Sequence, residues 1–158
     1  MKFRRIQSED NISIAQVIRT VMIEHKIDKP GSVFTDPDTD RLYELFQNEK
    51  SIYWILESDG RILGGCGIYP TEGLPENCAE LVKLYLLKES RGLGRGKQLM
   101  EKCIESAISL GYSSLYLESM PELNSALGLY EDLGFESLDG PLGNSGHYAC
   151  DIWMLKKL

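Results

Sequence analysis

The chain is short of several features, and each shortage narrows what it does. No apolar run approaches the ~20 residues that span a bilayer, and the basic start MKFRRIQSEDN has no apolar stretch behind it, so neither a membrane anchor nor a signal peptide is expected. A basic excess is missing as well. The 24 Asp and Glu outnumber the 17 Lys and Arg, giving a formal net charge of -7, the wrong sign for a nucleic-acid surface. That charge suits a solvated acidic surface and is compatible with positively charged substrates. The four cysteines, Cys66, Cys78, Cys103 and Cys150, contain no CxxC pair, and the histidines are His25 and His147 alone. Disulfides and a metal centre are therefore not expected; reduced thiols in a cytoplasmic protein are.

What is present is ordinary globular composition, with 42% hydrophobic and 26% charged residues in 158, enough for one domain (1–158) with one good core. Residues 2–7 read as a strand. Asp10 or Asn11 then caps a helix in which Ile14, Val17, Ile18, Val21 and Met22 recur at helical spacing. Asp36-Pro37 reads as the cap and first residue of a short second helix bearing Leu42, Leu45 and Phe46. Two apolar runs, SIYWILE and RILGGCGIY, flank Asp59-Gly60, a hairpin signal. Glycines 64, 65 and 67 mark either a bulged strand or close approach of a backbone or ligand. AELVKLYLL is a fourth strand. A long helix from Gly96 to about Leu110 points Leu99, Met100, Cys103, Ile104, Ala107 and Ile108 inward, and Gly111 stops it. SSLYLES is a fifth strand, Pro121 opens a helix that Gly134 ends, and FESL with YACDIWML closes the chain as a hairpin. This is one α+β domain with a mixed sheet.

Between the fourth strand and the long helix lies Arg91-Gly92-Leu93-Gly94-Arg95-Gly96-Lys97. Alternating glycines let backbone N–H groups turn toward an anion. The helix start adds unpaired donors and partial positive charge, and Lys88, Arg91, Arg95 and Lys97 add cations. The set suits a pyrophosphate. A Walker A loop is a poor alternative, because Gln98 follows Gly96-Lys97. A dinucleotide fingerprint needs GxGxxG where this chain has GxGxG. A plain glycine-rich turn with solvated arginines is the remaining alternative.

With that loop, the chain resembles the GNAT superfamily of acetyl-CoA-dependent N-acetyltransferases. The family's pyrophosphate signature is Arg or Gln, two residues, Gly, one residue, then Gly or Ala, and Arg91 to Gly96 fits it. ALGLYEDLGF, Ala126 to Phe135, is similar to the family's later helix with its tyrosine and terminal Gly-Phe. The resemblance spans nearly the whole chain. It implies an α/β (α+β) fold with a mixed, mostly antiparallel central sheet of about seven strands and helices on both faces. It places Leu84 and Leu86 where the fourth strand splays from the fifth and meets the pantetheine arm and acyl carbonyl. Arg91, Gly92, Gly94, Gly96 and Lys97 would line the pyrophosphate. Tyr130 would stand near the thioester sulfur, and Glu80, six residues before Leu86, matches a glutamate that serves some members as general base. The family's usual asparagine falls at Leu123, with Asn124 next to it, and its usual proline falls at Lys88.

The implied reaction is acetyl transfer from acetyl-CoA, as cosubstrate, to a primary amine in a ternary complex. Glu80 would act as base, the Leu86 N–H as oxyanion donor and Tyr130 as acid. A non-catalytic acyl-CoA-binding module and another phosphate-ligand enzyme are the competing readings. Cys103 and Cys150 lie on apolar faces, where thiols are inert. His147, Glu118 and Glu122 are secondary candidates near the acceptor, which the first two helices and the 140–147 loop would shape. The acceptor is a small-molecule or peptide amine, with no nucleic-acid or membrane partner, and the last strands offer a surface for a homodimer.

Overall fold

Asp59 and Gly60 take positive φ of 51° and 77°, the twist that closes a two-residue turn with Ser58 opposite Arg61. The strands so joined are β2 (Ile52–Ser58) and β3 (Arg61–Tyr69). In the computed structural model, which describes residues 1–158, this hairpin belongs to a seven-stranded sheet. The other strands are β1 (Lys2–Arg5), β4 (Cys78–Leu86), β5 (Ser114–Ser119), β6 (Glu136–Ser137) and β7 (Ile152–Lys157), in the order β1-β2-β3-β4-β5-β7-β6. Only β4 and β5 run parallel; every other neighbouring pair is antiparallel. The mixed, mostly antiparallel sheet is the one expected.

Helices cover both faces. On one, α1 (Asn11–Glu24) buries Ile14, Val17, Ile18, Val21 and Met22 against Tyr53, Ile55, Ile62 and Tyr85. On the other, α3 (Arg95–Ser109) buries Leu99, Met100, Cys103 and Ala107 against Leu56, Leu63, Cys66 and Leu115, and α4 (Asn124–Asp132) adds Tyr130. Ile108 is not inward, being 56% exposed. Eight residues past Met100, it has turned about 80° round the helix and off the sheet. No helix is long and apolar enough to cross a membrane.

Four boundaries differ from the sequence reading. The first strand ends at Arg5, because Asp10 bonds both Arg4 and the Gln7 N–H and turns the chain into α1. The second helix is a 3-10 turn, Pro37–Asp40, followed by one α turn, α2 (Leu42–Leu45). Pro121 likewise opens a 3-10 turn, Pro121–Leu123, before α4. β7 starts only at Ile152, and β6 has two residues.

The glycines of β3 meet both expectations in part: pairing with β2 is irregular next to Gly64, and what approaches Gly65 and Gly67 most closely is a side-chain ring. A Cβ on Gly65 or Gly67 would lie 2.5 Å and 2.6 Å from carbons of the Tyr53 ring. Their absence lets that ring lie flat on β3, and its hydroxyl donates to the Lys83 carbonyl at 2.8 Å. Lys83 is the irregular point of β4. It has φ of 54°, and the pairing jumps from Gly67–Val82 to Gly65–Tyr85 across it. The bulge takes in Lys83 and Leu84, at the start of the stretch where β4 was expected to splay from β5. It bends β4 away from β5, and the two strands pair only from Cys78–Ser114 to Glu80–Tyr116. Beyond that point the sheet is split.

Candidate active site

The split opens the site. Leu84, Leu86, Arg91, Gly92, Gly94, Gly96, Lys97 and Tyr130 line one cleft of about 270 Å³. Leu87 N–H donates to Leu63 O at 2.8 Å, so strand alternation turns the polar groups of Leu86 toward the gap. The Leu86 carbonyl accepts from Arg91 Nε at 2.9 Å. Arg91 is otherwise committed to Glu24 at the end of α1, through two bonds of 2.7 and 3.0 Å. It works as a strut between α1 and the glycine loop.

The loop leaves donors open. Gly92 and Gly94 have φ of 74° and 75°, and Gly94 is the N-cap of α3 without any side-chain cap. The first intrahelical bond belongs to Gln98 N–H, so the N–H groups of Arg95, Gly96 and Lys97 await an external acceptor. Arg95 Nε, on the same cleft, is buried with no partner. Orphaned buried donors are costly unless a ligand meets them, so these residues fit an anionic group such as pyrophosphate. Asn124 is exposed and outside the cleft, whereas Leu123 and Ser125 line it. Lys88 lies in a 3-10 turn, Lys88–Ser90.

A narrow cavity of about 50 Å³ continues from the cleft through the split. Tyr130, Leu84, Tyr85 and Leu123 line both, and Glu80, Glu118, Ser119, His147 and Cys150 lie beyond them. Tyr130 is 6% exposed, and burial raises its hydroxyl pKa, which keeps it protonated at neutral pH. Glu80 is 3% exposed and is not a solvated surface carboxylate. Burial pushes its carboxyl up to about 7; the Thr71 hydroxyl, donating at 2.6 Å, opposes this and Glu118 adds to it. Cys150 is held protonated, pushed up to about 12 mainly by burial, and buried Cys103 is raised further, so neither is a thiolate nucleophile.

Ligand atoms of Glu80, Glu118 and His147 lie within 4.8 Å of one another. Glu118 accepts from Tyr116 Oη at 2.7 Å and from Ser145 Oγ. His147 Nε2 is 2.7 Å from Asp36 Oδ2, and Lys83 Nζ is 3.4 Å from the same oxygen. Burial alone would raise Asp36; His147 and Lys83 outweigh it and hold the carboxyl well below the usual range. Glu122 is not in this cluster but on the surface, 3.7 Å from Lys29. Thr71, Asp36 and Ser119 were not singled out for these roles from sequence, whereas Arg95 was among the cations of the loop. Asp36 showed only as a helix cap, and nothing local marked Thr71 or Ser119.

Comparison with known proteins identifies the family and the fold. The Acetyltransferase (GNAT) family matches residues 19–135. The uncharacterized N-acetyltransferase YjgM of Escherichia coli is 40% identical over 157 residues, 98% of this chain and 93% of its own. Among solved structures, a GNAT-family acetyltransferase of Staphylococcus aureus superposes with a TM-score of 0.86 at 21% identity, over 99% of this chain and 98% of that one. The PaiA N-acetyltransferase of Thermoplasma acidophilum, in complex with coenzyme A, gives 0.75 at 19% identity, over 99% and 98%. The chain belongs to the GNAT family of acetyltransferases.

Proposed function

We propose that this enzyme moves an acetyl group from acetyl-CoA to a primary amine by direct attack in a ternary complex. The observation that carries the reading is a cleft and a narrow cavity that share Leu84, Tyr85, Leu123 and Tyr130, with the anion cradle at one end, Tyr130 between and Glu80 at the other. Acetyl-CoA, when bound, would supply the acetyl group as a thioester, its pyrophosphate held by the Gly92–Lys97 N–H groups and Arg95.

The chain's own residues then divide the work. An alkyl ammonium, with a pKa of ~10.4, must shed a proton before it attacks. Glu80, titrating near 7, takes that proton directly or through water and passes it to solvent. The Leu86 N–H faces the gap, where it stabilises negative charge on the acyl oxygen. Tyr130, kept protonated by burial, would give its proton to the departing sulfur as the C–N bond forms and the C–S bond breaks, and the second proton, shed by the new amide nitrogen, would restore the phenol. No thiolate is needed, consistent with protonated Cys150.

Two assays test this. CoA should displace a fluorescent CoA analogue far better than ATP or NAD does. Acetyl-CoA with a panel of primary amines should release free thiol and yield acetylated amine by mass spectrometry. Equal displacement by ATP, or thiol release without acetylated product, would contradict the reading.

A further inference from the structure

The acceptor side of the split carries charge that the reaction itself does not require. Beyond Glu80 the cavity opens into a second cleft of about 340 Å³ lined by Asp36, Asp38, Glu72, Glu80, Lys83 and His147. Asp36 meets both Lys83 and His147. Asp38 and Glu72 enter no salt bridge, so with Asp36 they set three carboxylates against those two basic side chains, and the wall stays net negative outside Glu80. The Glu72 carbonyl accepts from Asn144 N–H at 2.8 Å, which fixes this loop against the 140–147 segment.

A second, independent feature points to a ligand here. Ser119, on the free end of β5, is 3% exposed, and its Oγ is buried with no hydrogen-bond partner. It lines the same narrow cavity as Glu80, Glu118 and Tyr130. An orphaned hydroxyl in that position is satisfied by something that enters the cavity. Beside two carboxylates, the complementary ligand is an N–H donor with positive charge.

We propose that the acceptor is a linear primary amine bearing a second positive charge. Its reacting end enters past Ser119, Glu80 and Glu118, and its distal cation lies against Asp38 and Glu72. The inference rests on the acetyltransferase reading above and names the substrate class of that site. Thr71 bonds Glu80 and Glu72 is the next residue, so the two carboxylates belong to adjoining parts of one wall.

The test uses three amines of one chain length: 1,4-diaminobutane, n-butylamine and 4-aminobutanoate, whose distal ends are positive, neutral and negative. Two partly exposed carboxylates should favour the diamine over butylamine by about tenfold in kcat/KM, mainly through KM. The anionic amine should be poorer still. The Asp38→Asn/Glu72→Gln double variant should narrow the gap between diamine and butylamine, as should high salt. Butylamine matching the diamine, or a preference unchanged in the double variant, would overturn the proposal while leaving acetyl transfer intact. No turnover of any of the three, with acetylation of another amine of the panel, would overturn this inference alone; acetyl-CoA binding without turnover of any amine would remove the catalytic reading, and this inference with it.

Discussion

Replacing Glu80 with Gln should make the protein more stable and far less active, with the stability gain appearing only at high pH. The carboxyl moves from its reference value of 4.5 to about 7 in the folded chain, chiefly through burial. The folded state therefore binds more protons than the unfolded state between those values. Stability falls as pH rises through that window, and the deficit is complete above about pH 7, amounting to roughly 3 kcal/mol. Gln keeps a carbonyl to accept the Thr71 hydroxyl and has no charge to bury. The variant should match wild type near pH 4.5 and exceed it at pH 8.5, by roughly 6–12 °C in Tm for a chain of this size. Loss of a general base should lower kcat by about 10² or more. Wild-type kcat/KM should climb through pH 7 as Glu80 ionises, and the variant should lose that step. Thermal melts at the two pH values and a pH–rate profile check both parts. A variant equally destabilised at pH 5 and pH 8.5, or one that keeps the wild-type rate, would refute the assignment.

Two further substitutions probe the cradle. Gly94→Ala forces a side chain onto a φ of 75° where no atom lies within 4 Å, so it should cost about 1–2 kcal/mol through backbone strain alone. Gly96→Ala has ordinary φ and would place Cβ 3.4 Å from Leu129 and 3.5 Å from Leu86, so it should leave Tm unchanged or higher while weakening CoA binding in the narrowed cleft. Melting curves and CoA titrations separate the two. Glu24→Gln releases Arg91 from its two bonds. Since the pair is partly exposed, it should shift stability by less than about 1 kcal/mol and raise the Kd for CoA by at most about fivefold.

Legibility in the sequence followed how local each feature is. The Asp59-Gly60 turn and the Gly111 and Gly134 helix stops are single-residue decisions about positive φ, and all three hold at 51°/77°, 89° and 90°. The buried stripe of α1 came directly from its periodicity. The anion loop was readable because its donors are backbone N–H groups in consecutive residues. The split between β4 and β5 was reached only through family resemblance, since the irregular residue beside it, Lys83, meets Tyr53 Oη across 30 residues, a contact that no local pattern encodes. The setting of Glu80 was not legible locally, because its neighbours Thr71, Glu118 and His147 come from three separate segments. Short 3-10 turns at Pro37 and Pro121 replaced the expected α starts. Proline at a first helical position is as compatible with a 3-10 turn as with an α-helix.

The most direct test compares wild type with Tyr130→Phe. Phe keeps the ring that packs 6.1 Å from Phe135 and removes only the hydroxyl at the junction of the two cavities. With saturating acetyl-CoA and 1,4-diaminobutane, thiol release should fall by about a hundredfold or more, while Tm and CoA affinity stay near wild type. An unchanged rate in a folded, CoA-binding Tyr130→Phe protein would contradict the account.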